Sequence, residues 1–175
     1  MVLVVDMQER LAAAMAEETR AATVGQATSL LQAAGQLSIP VLATQQYPRG
    51  LGSTVAEVAR ALPETARVFD KTAFSCCGAA GLDEALAGQD RPQVIMAGME
   101  AHVCVLQTAL ELHDQGYAVF VAEDAVCSRH ASHHANAMHR LRQSGVVVTN
   151  MESVLFEWVR DARHEHFKAI SRLMR

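Results

Sequence analysis

Short apolar runs punctuate the chain at intervals: Val2-Leu3-Val4-Val5, Val41-Leu42-Ala43-Thr44, Val68-Phe69, Val94-Ile95-Met96-Ala97, Ala118-Val119-Phe120-Val121 and Val146-Val147-Val148-Thr149. Continuous runs of this kind, rich in β-branched residues, predict strands covered on both faces. Longer segments with helical spacing lie between them, notably Ala21 to Leu37, His102 to Gln115 and His130 to Ser144. Strand alternating with helix is the pattern of a parallel sheet. Gly35 and Pro40 break the chain before the second strand, and Gly116 and Gly145 do so before the fifth and sixth. The expected fold is α/β: a three-layer α/β/α sandwich around a six-stranded, mostly parallel, Rossmann-like sheet. No linker, repeat or low-complexity tract divides the 175 residues, so one domain is expected over 1–175.

Composition narrows the class of function. Half of the residues are hydrophobic (50%) and 19% are charged, which excludes a disordered chain. The net charge is −4 and the two signs are interspersed, so no basic nucleic-acid footprint is present. Four Cys are too few for a disulfide scaffold, and Cys76 and Cys77 are adjacent, which disfavours an ordinary bridge. Reduced thiols point to the cytoplasm. The opening MVLVVDMQ has no basic region, and its apolar run ends at Asp6, too short for a signal peptide or a membrane span.

In open α/β sheets ligands bind at the carboxyl ends of strands. Those positions hold Asp6, Gln45-Gln46-Tyr47, Asp70-Lys71, Gly98 to Cys104 and Glu123-Asp124. Gly98 reads as a tight turn that sets Cys104 in the first turn of the next helix, where the helix dipole favours a thiolate. Lys71 would stabilise that thiolate further, and Asp6 could accept the thiol proton before attack on a carbonyl. Each residue also has a plainer reading. Free Cys is commonly a buried packing residue, Asp6 could cap a helix starting near Met7, and Lys71 could be a solvated strand-end charge. Cys76, Cys77 and Cys127 read as packing residues, with Cys76 at the pocket edge. His130, His133, His134 and His139 cluster, and His130 and His134 share a helical face, but no carboxylate lies at matching spacing. A solvated helix face is the favoured reading. Gly50-Leu51-Gly52 lacks the spacing of a phosphate loop.

The segments VLVVDMQERL, ATQQYPRGLGST, FDKTAFSCC and AGMEAHVCVLQTALEL, in this order, resemble the successive signatures of the isochorismatase-like cysteine hydrolase superfamily. The ending EHFKAISRLMR is similar to that of the isochorismatase domain-containing proteins, a branch of largely unassigned substrate. The resemblance implies a catalytic triad of Asp6, Lys71 and Cys104. It implies as well a cis peptide at Met99–Glu100, aiming the N–H groups of Glu100 and Cys104 at an oxyanion. Nicotinamidases of the superfamily bind a metal through Asp and His after strand two. QQYPRGLGST has neither, so no metal and no other cofactor is expected. Ala101 stands where many relatives have Thr. Members that cleave the vinyl ether of isochorismate often lack the cysteine, so Cys104 points instead to an acyl carbon.

These readings converge on a metal-independent cysteine hydrolase of a small amide or related acyl C–N bond. Gln46, Tyr47, Phe74 and His102 are the candidate pocket wall. The alternatives are a small-molecule-binding or interaction protein on the same fold, and an isochorismate-type ether hydrolase. The only partners expected are a small-molecule substrate and further copies of the chain, in a dimer, tetramer or larger homo-oligomer. Trp158, Phe156, Phe167, Ile170 and Met174 are the apolar residues that could serve that contact, whereas Arg160 to His166 is a mixed-charge stretch facing solvent or a subunit.

Overall fold

The computed structural model describes residues 1–174. Six strands, β1 (Val2–Val5), β2 (Val41–Gln46), β3 (Arg67–Lys71), β4 (Gln93–Met99), β5 (Ala118–Cys127) and β6 (Val147–Thr149), form one sheet in the order β3-β2-β1-β4-β5-β6. Every strand pair is parallel. The helices are α1 (Glu9–Ala13), α2 (Glu17–Gln36), α3 (Pro48–Leu51), α4 (Ala56–Ala61), α5 (Leu82–Ala87), α6 (Leu106–Asp114), α7 (Ala131–Gln143), α8 (Met151–Val159) and α9 (Phe167–Ile170).

Alternation along β1 divides the core in two. Val2 and Val4 face a cluster with Val24, Leu30 and Leu31 of α2, Val58 of α4 and Leu155 of α8. Leu3 and Val5 face the opposite cluster, built from Leu82 and Leu86 of α5, Leu106 and Leu112 of α6 and Leu141 of α7. Side chains of period two on a strand buried from both sides produce this α/β/α layering. The expected three-layer fold is therefore observed, with all six strands parallel.

Local boundaries differ from the sequence expectation where the chain carries no signal. α2 begins at Glu17 rather than near Ala21, because its cap is Ala16, whose side chain makes no capping bond. Within Gln45 to Thr54, Gln45 and Gln46 finish β2, and Pro48 opens the helical turn α3, for which its fixed φ is suited. Gly98 does not close a turn. It lies within β4 at φ 137°, and a Cβ there would stand 2.0 Å from the Val5 carbonyl oxygen, so glycine is what lets β4 lie against β1. The cluster of carboxyl-terminal apolar residues is split, with Ile170 buried and Phe156 exposed beside Phe167.

Candidate functional site

The strand order reverses direction of growth between β1 and β4, and the chain leaves both strands at the same edge. Asp6 follows β1 at φ 48°, a left-handed conformation that Asp tolerates better than most residues. It is fully buried. Lys71 ends β3, two strands away, in register with Gln46 of β2. Its Nζ donates to Asp6 Oδ2 at 2.6 Å and to Gln46 Oε1 at 2.7 Å, with the Phe74 and Ala73 carbonyls at 3.0 and 3.2 Å. The second carboxylate oxygen, Asp6 Oδ1, accepts from the Thr44 hydroxyl at 2.7 Å. A buried charge pair needs such a complete set of partners to be tolerated. Neither plain reading of these two residues applies. α1 starts at Glu9 with Gln8 as its cap, so Asp6 caps nothing, and Lys71 is shielded from solvent.

Cys104 arrives from β4. The Met99–Glu100 peptide is cis, and Ala101–Val105 then forms a π-helical turn that runs directly into α6. The Glu100 carboxylate is held by the Arg129 backbone N–H at 2.9 Å and by its Nε at 3.2 Å. Thr108 donates to the Cys104 carbonyl at 2.6 Å. The thiol itself is buried, and burial pushes its pKa up to about 12, with the neighbouring Asp6 carboxylate raising it further and Lys71 offsetting only part. Burial thus works against the ionisation of Cys104 expected from a helix end and Lys71. Attack by this sulfur requires a base that takes the proton as the bond forms.

The candidate wall residues divide. Gln46 is a bracket rather than a wall: its Oε1 holds Lys71, its Nε2 donates to the Thr72 carbonyl at 2.8 Å, and its own N–H donates to Gln8 Oε1 at 2.7 Å. Tyr47 and Phe74 stand at the ends of the strands that carry Gln46 and Lys71, and are 54% and 57% exposed. His102 is half-buried, with Nδ1 2.9 Å from Ser128 Oγ and its ring 4.6 Å from that of His133. Burial lowers its pKa, and the Glu100 carboxylate works against that shift. Of the clustered histidines, His130, His133 and His139 are exposed and His134 lies 3.2 Å from the Glu123 carbonyl. Among the described residues no group of three or more His, Cys, Asp or Glu is arranged to hold a metal.

Sequence reasoning missed Gln8, Thr44 and Thr108. Gln8 is fully buried and ties β2 to the following turn, donating to the Gln46 and Gly52 carbonyls at 3.0 and 2.8 Å. Thr44 reads as one more β-branched strand residue. Its signal is a hydroxyl at the carboxyl end of an otherwise apolar run.

The isochorismatase domain family model matches residues 1–153. The chain belongs to the isochorismatase family. Isochorismatase domain-containing protein 2 of Danio rerio is 39% identical over 172 residues, which cover 98% of this chain and 85% of that protein. A Caenorhabditis elegans structure described as MAR1 ribonuclease is 36% identical, with a TM-score of 0.92, covering 99% of this chain and 88% of the other. YcaC from Pseudomonas aeruginosa, solved with hexane-2,5-diol and covalent acrylamide, is 25% identical with a TM-score of 0.88, covering 97% and 85%. Membership in the isochorismatase family gives the chain a hydrolase fold.

Proposed function

We propose that this isochorismatase-family chain is a metal-independent cysteine hydrolase of a small amide or related acyl C–N bond. The carrying observation is the buried Lys71–Asp6 pair at 2.6 Å beside the buried Cys104 thiol, whose pKa burial raises. Asp6 takes the Cys104 proton as Sγ bonds to the carbonyl carbon, and the N–H groups of Glu100 and Cys104 receive the oxyanion. One such donor contributes on the order of 3 kcal/mol to the transition state. Collapse breaks the C–N bond, and the leaving nitrogen takes the proton from Asp6. Water, deprotonated by Asp6, then attacks the thioester, releasing the carboxylic acid and restoring the thiol. Lys71 holds Asp6 in place and balances the negative charge it carries between the proton transfers. Tyr47, Phe74 and His102 are assigned to the substrate side, and Gln46 to holding Lys71. No cofactor takes part in these steps. Support for a trappable nucleophile on this fold comes from the YcaC relative with its covalent acrylamide.

A panel of amides and carbamoyl compounds, read by mass spectrometry for an acyl adduct on Cys104, tests this. Cys104→Ala is expected to lower turnover by at least about a thousandfold. Undiminished turnover in that variant sinks the assignment. The name of the Caenorhabditis elegans structure makes a phosphodiester the competing substrate class, so a single-stranded RNA oligonucleotide belongs in the panel. RNA cleavage that survives Cys104→Ala would favour that class. We further propose one domain over 1–175, a homo-oligomer and a cytoplasmic location. The exposed Phe156 supports the assembly, and the four free cysteines support the compartment. Light scattering that finds only the monomer at micromolar concentration would refute the oligomer.

A further inference from the structure

The proposed mechanism leaves the buried thiols Cys76 and Cys127 without a role, and Cys76 touches the network around Asp6. Cys76 is completely buried, and its Sγ lies 3.4 Å from Thr44 Oγ1. The direction of that contact follows from counting protons. Thr44 has one hydroxyl hydrogen, and it points at Asp6 Oδ1, an accepting oxygen of the carboxylate whose Oδ2 is salt-bridged to Lys71. The Thr44 oxygen is therefore the acceptor toward sulfur, and the Cys76 S–H is the donor. A donor into a hydroxyl polarises that hydroxyl's own bond onward, so the two links strengthen each other.

Cys76 is fixed from its other side by the nucleophile's own residue. The Cys76 backbone N–H donates to Thr108 Oγ1 at 2.9 Å, and Thr108 donates to the Cys104 carbonyl at 2.6 Å. One residue thus spans the base and the nucleophile: its thiol reaches Asp6 through Thr44, and its N–H reaches Cys104 through Thr108. Thr44 and Thr108 are both buried, so water does not substitute for either link in the closed network.

We propose that Cys76, acting through Thr44, is a positioning residue that holds Oδ1 of the Asp6 carboxylate in the orientation required to take the Cys104 proton. The inference rests on the cysteine-hydrolase reading and extends it to a residue that touches no reacting atom. Burial raises the Cys76 pKa to about 11, which keeps the thiol in the donor form that the relay needs.

The test uses the full chain and acrylamide, and needs no knowledge of the substrate. Acrylamide adds to Cys104 Sγ at its β-carbon, and the thiol proton ends on the α-carbon, so the rate at neutral pH reports base assistance. Peptide mass spectrometry follows the adduct at Cys104 alone. Cys76→Val and Thr44→Val are expected to slow alkylation roughly two- to tenfold, the range for one lost hydrogen bond. Cys76→Ser and Thr44→Ser, which keep a donor, are expected to restore most of the rate, whereas a purely space-filling Cys76 would be served as well by Val as by Ser. Equal rates in Cys76→Val and Cys76→Ser overturn the inference. Asp6→Asn separates it from its foundation. If Asp6→Asn alkylates like wild type, the base assignment and the hydrolase reading fail. If Asp6→Asn is slow while both Val variants match wild type, only the role of Cys76 and Thr44 fails. Should Cys76→Val not fold, the comparison of Thr44→Val with Thr44→Ser decides alone.

Discussion

Two ion pairs of nearly equal length mark opposite regions of this molecule. Lys71–Asp6, at the strand ends, is 2.6 Å long with both side chains wholly shielded. Arg163–Asp161, in the turn after α8, is 2.7 Å long with side chains 90% and 49% exposed. Separation alone would rank them alike. What differs is what surrounds each charge. Around Lys71 and Asp6, Gln46, Thr44 and two backbone carbonyls fill the remaining hydrogen-bonding positions. Around Arg163 and Asp161 water does so, and the bonds are local, between residues two apart. A buried pair gains little net stability over apolar residues of the same shape, while a half-removed one is costly. The placement of a buried pair beside a thiol is therefore better explained by chemistry than by folding energy.

The largest effect should come from splitting the buried pair. Lys71→Met leaves Asp6 without its cation, and urea unfolding should show a loss of about 3–5 kcal/mol. A loss below about 1 kcal/mol would mean that water already reaches the carboxylate, erasing the contrast with the exposed turn. The double variant Asp6→Asn/Lys71→Met should be more stable than Lys71→Met alone, because no charge is then stranded, while Cys104 loses its base-assisted reactivity. A double variant less stable than the single would show the pair to be structural.

A smaller effect is expected with alkali, and it belongs to the core and the strand-end site. Burial, as the first cause in each case, raises Cys104 from 9.0 to about 12 and Cys76, Cys77 and Cys127 to about 11. The folded chain retains protons that the unfolded chain releases, so this contribution is whole below pH 9 and disappears as pH climbs through 11 and 12. Tm should decline across that window, and Cys127→Ala should make the decline shallower. A Tm independent of pH over the window would contradict the burial of these thiols. The smallest effect is at the exposed pair. Arg163→Ala should leave Tm unchanged at low and at high salt, and a measurable drop would show that the turn is less solvated than its exposure indicates.

Much of the strand-end constellation was legible in the sequence because strand ends are marked by where apolar runs stop. Asp6, Lys71 and the turn leading to Cys104 each stand at such a boundary. The state of Cys104 was not legible, since a sequence shows which charges are near a thiol but not how deeply it is buried. Gln46 was legible as a strand-end residue, but the sequence does not show that both ends of its amide are occupied by partners from another segment. Thr44 lay hidden at the end of an apolar run, and Cys76, though placed at the pocket edge, passed for packing. The α2 start escaped notice because Ala16 offers no capping group, and α3 because a proline and two glycines read as a break rather than as one helical turn.

The position of β3 at the margin of the sheet bears on how competence is acquired during folding. Lys71 lies 65 residues from Asp6, and the strand that carries it is paired on one side only. An opening of that outermost strand that leaves β2, β1 and β4 paired would strip the Asp6 carboxylate of its counter-charge. Docking supplies the counter-charge and completes the proposed reactive centre in one event. Amide hydrogen exchange in β3 and the reactivity of Cys104 toward acrylamide should accordingly report the same opening, with the margin of the sheet serving as the switch between a folded chain and a chemically prepared one.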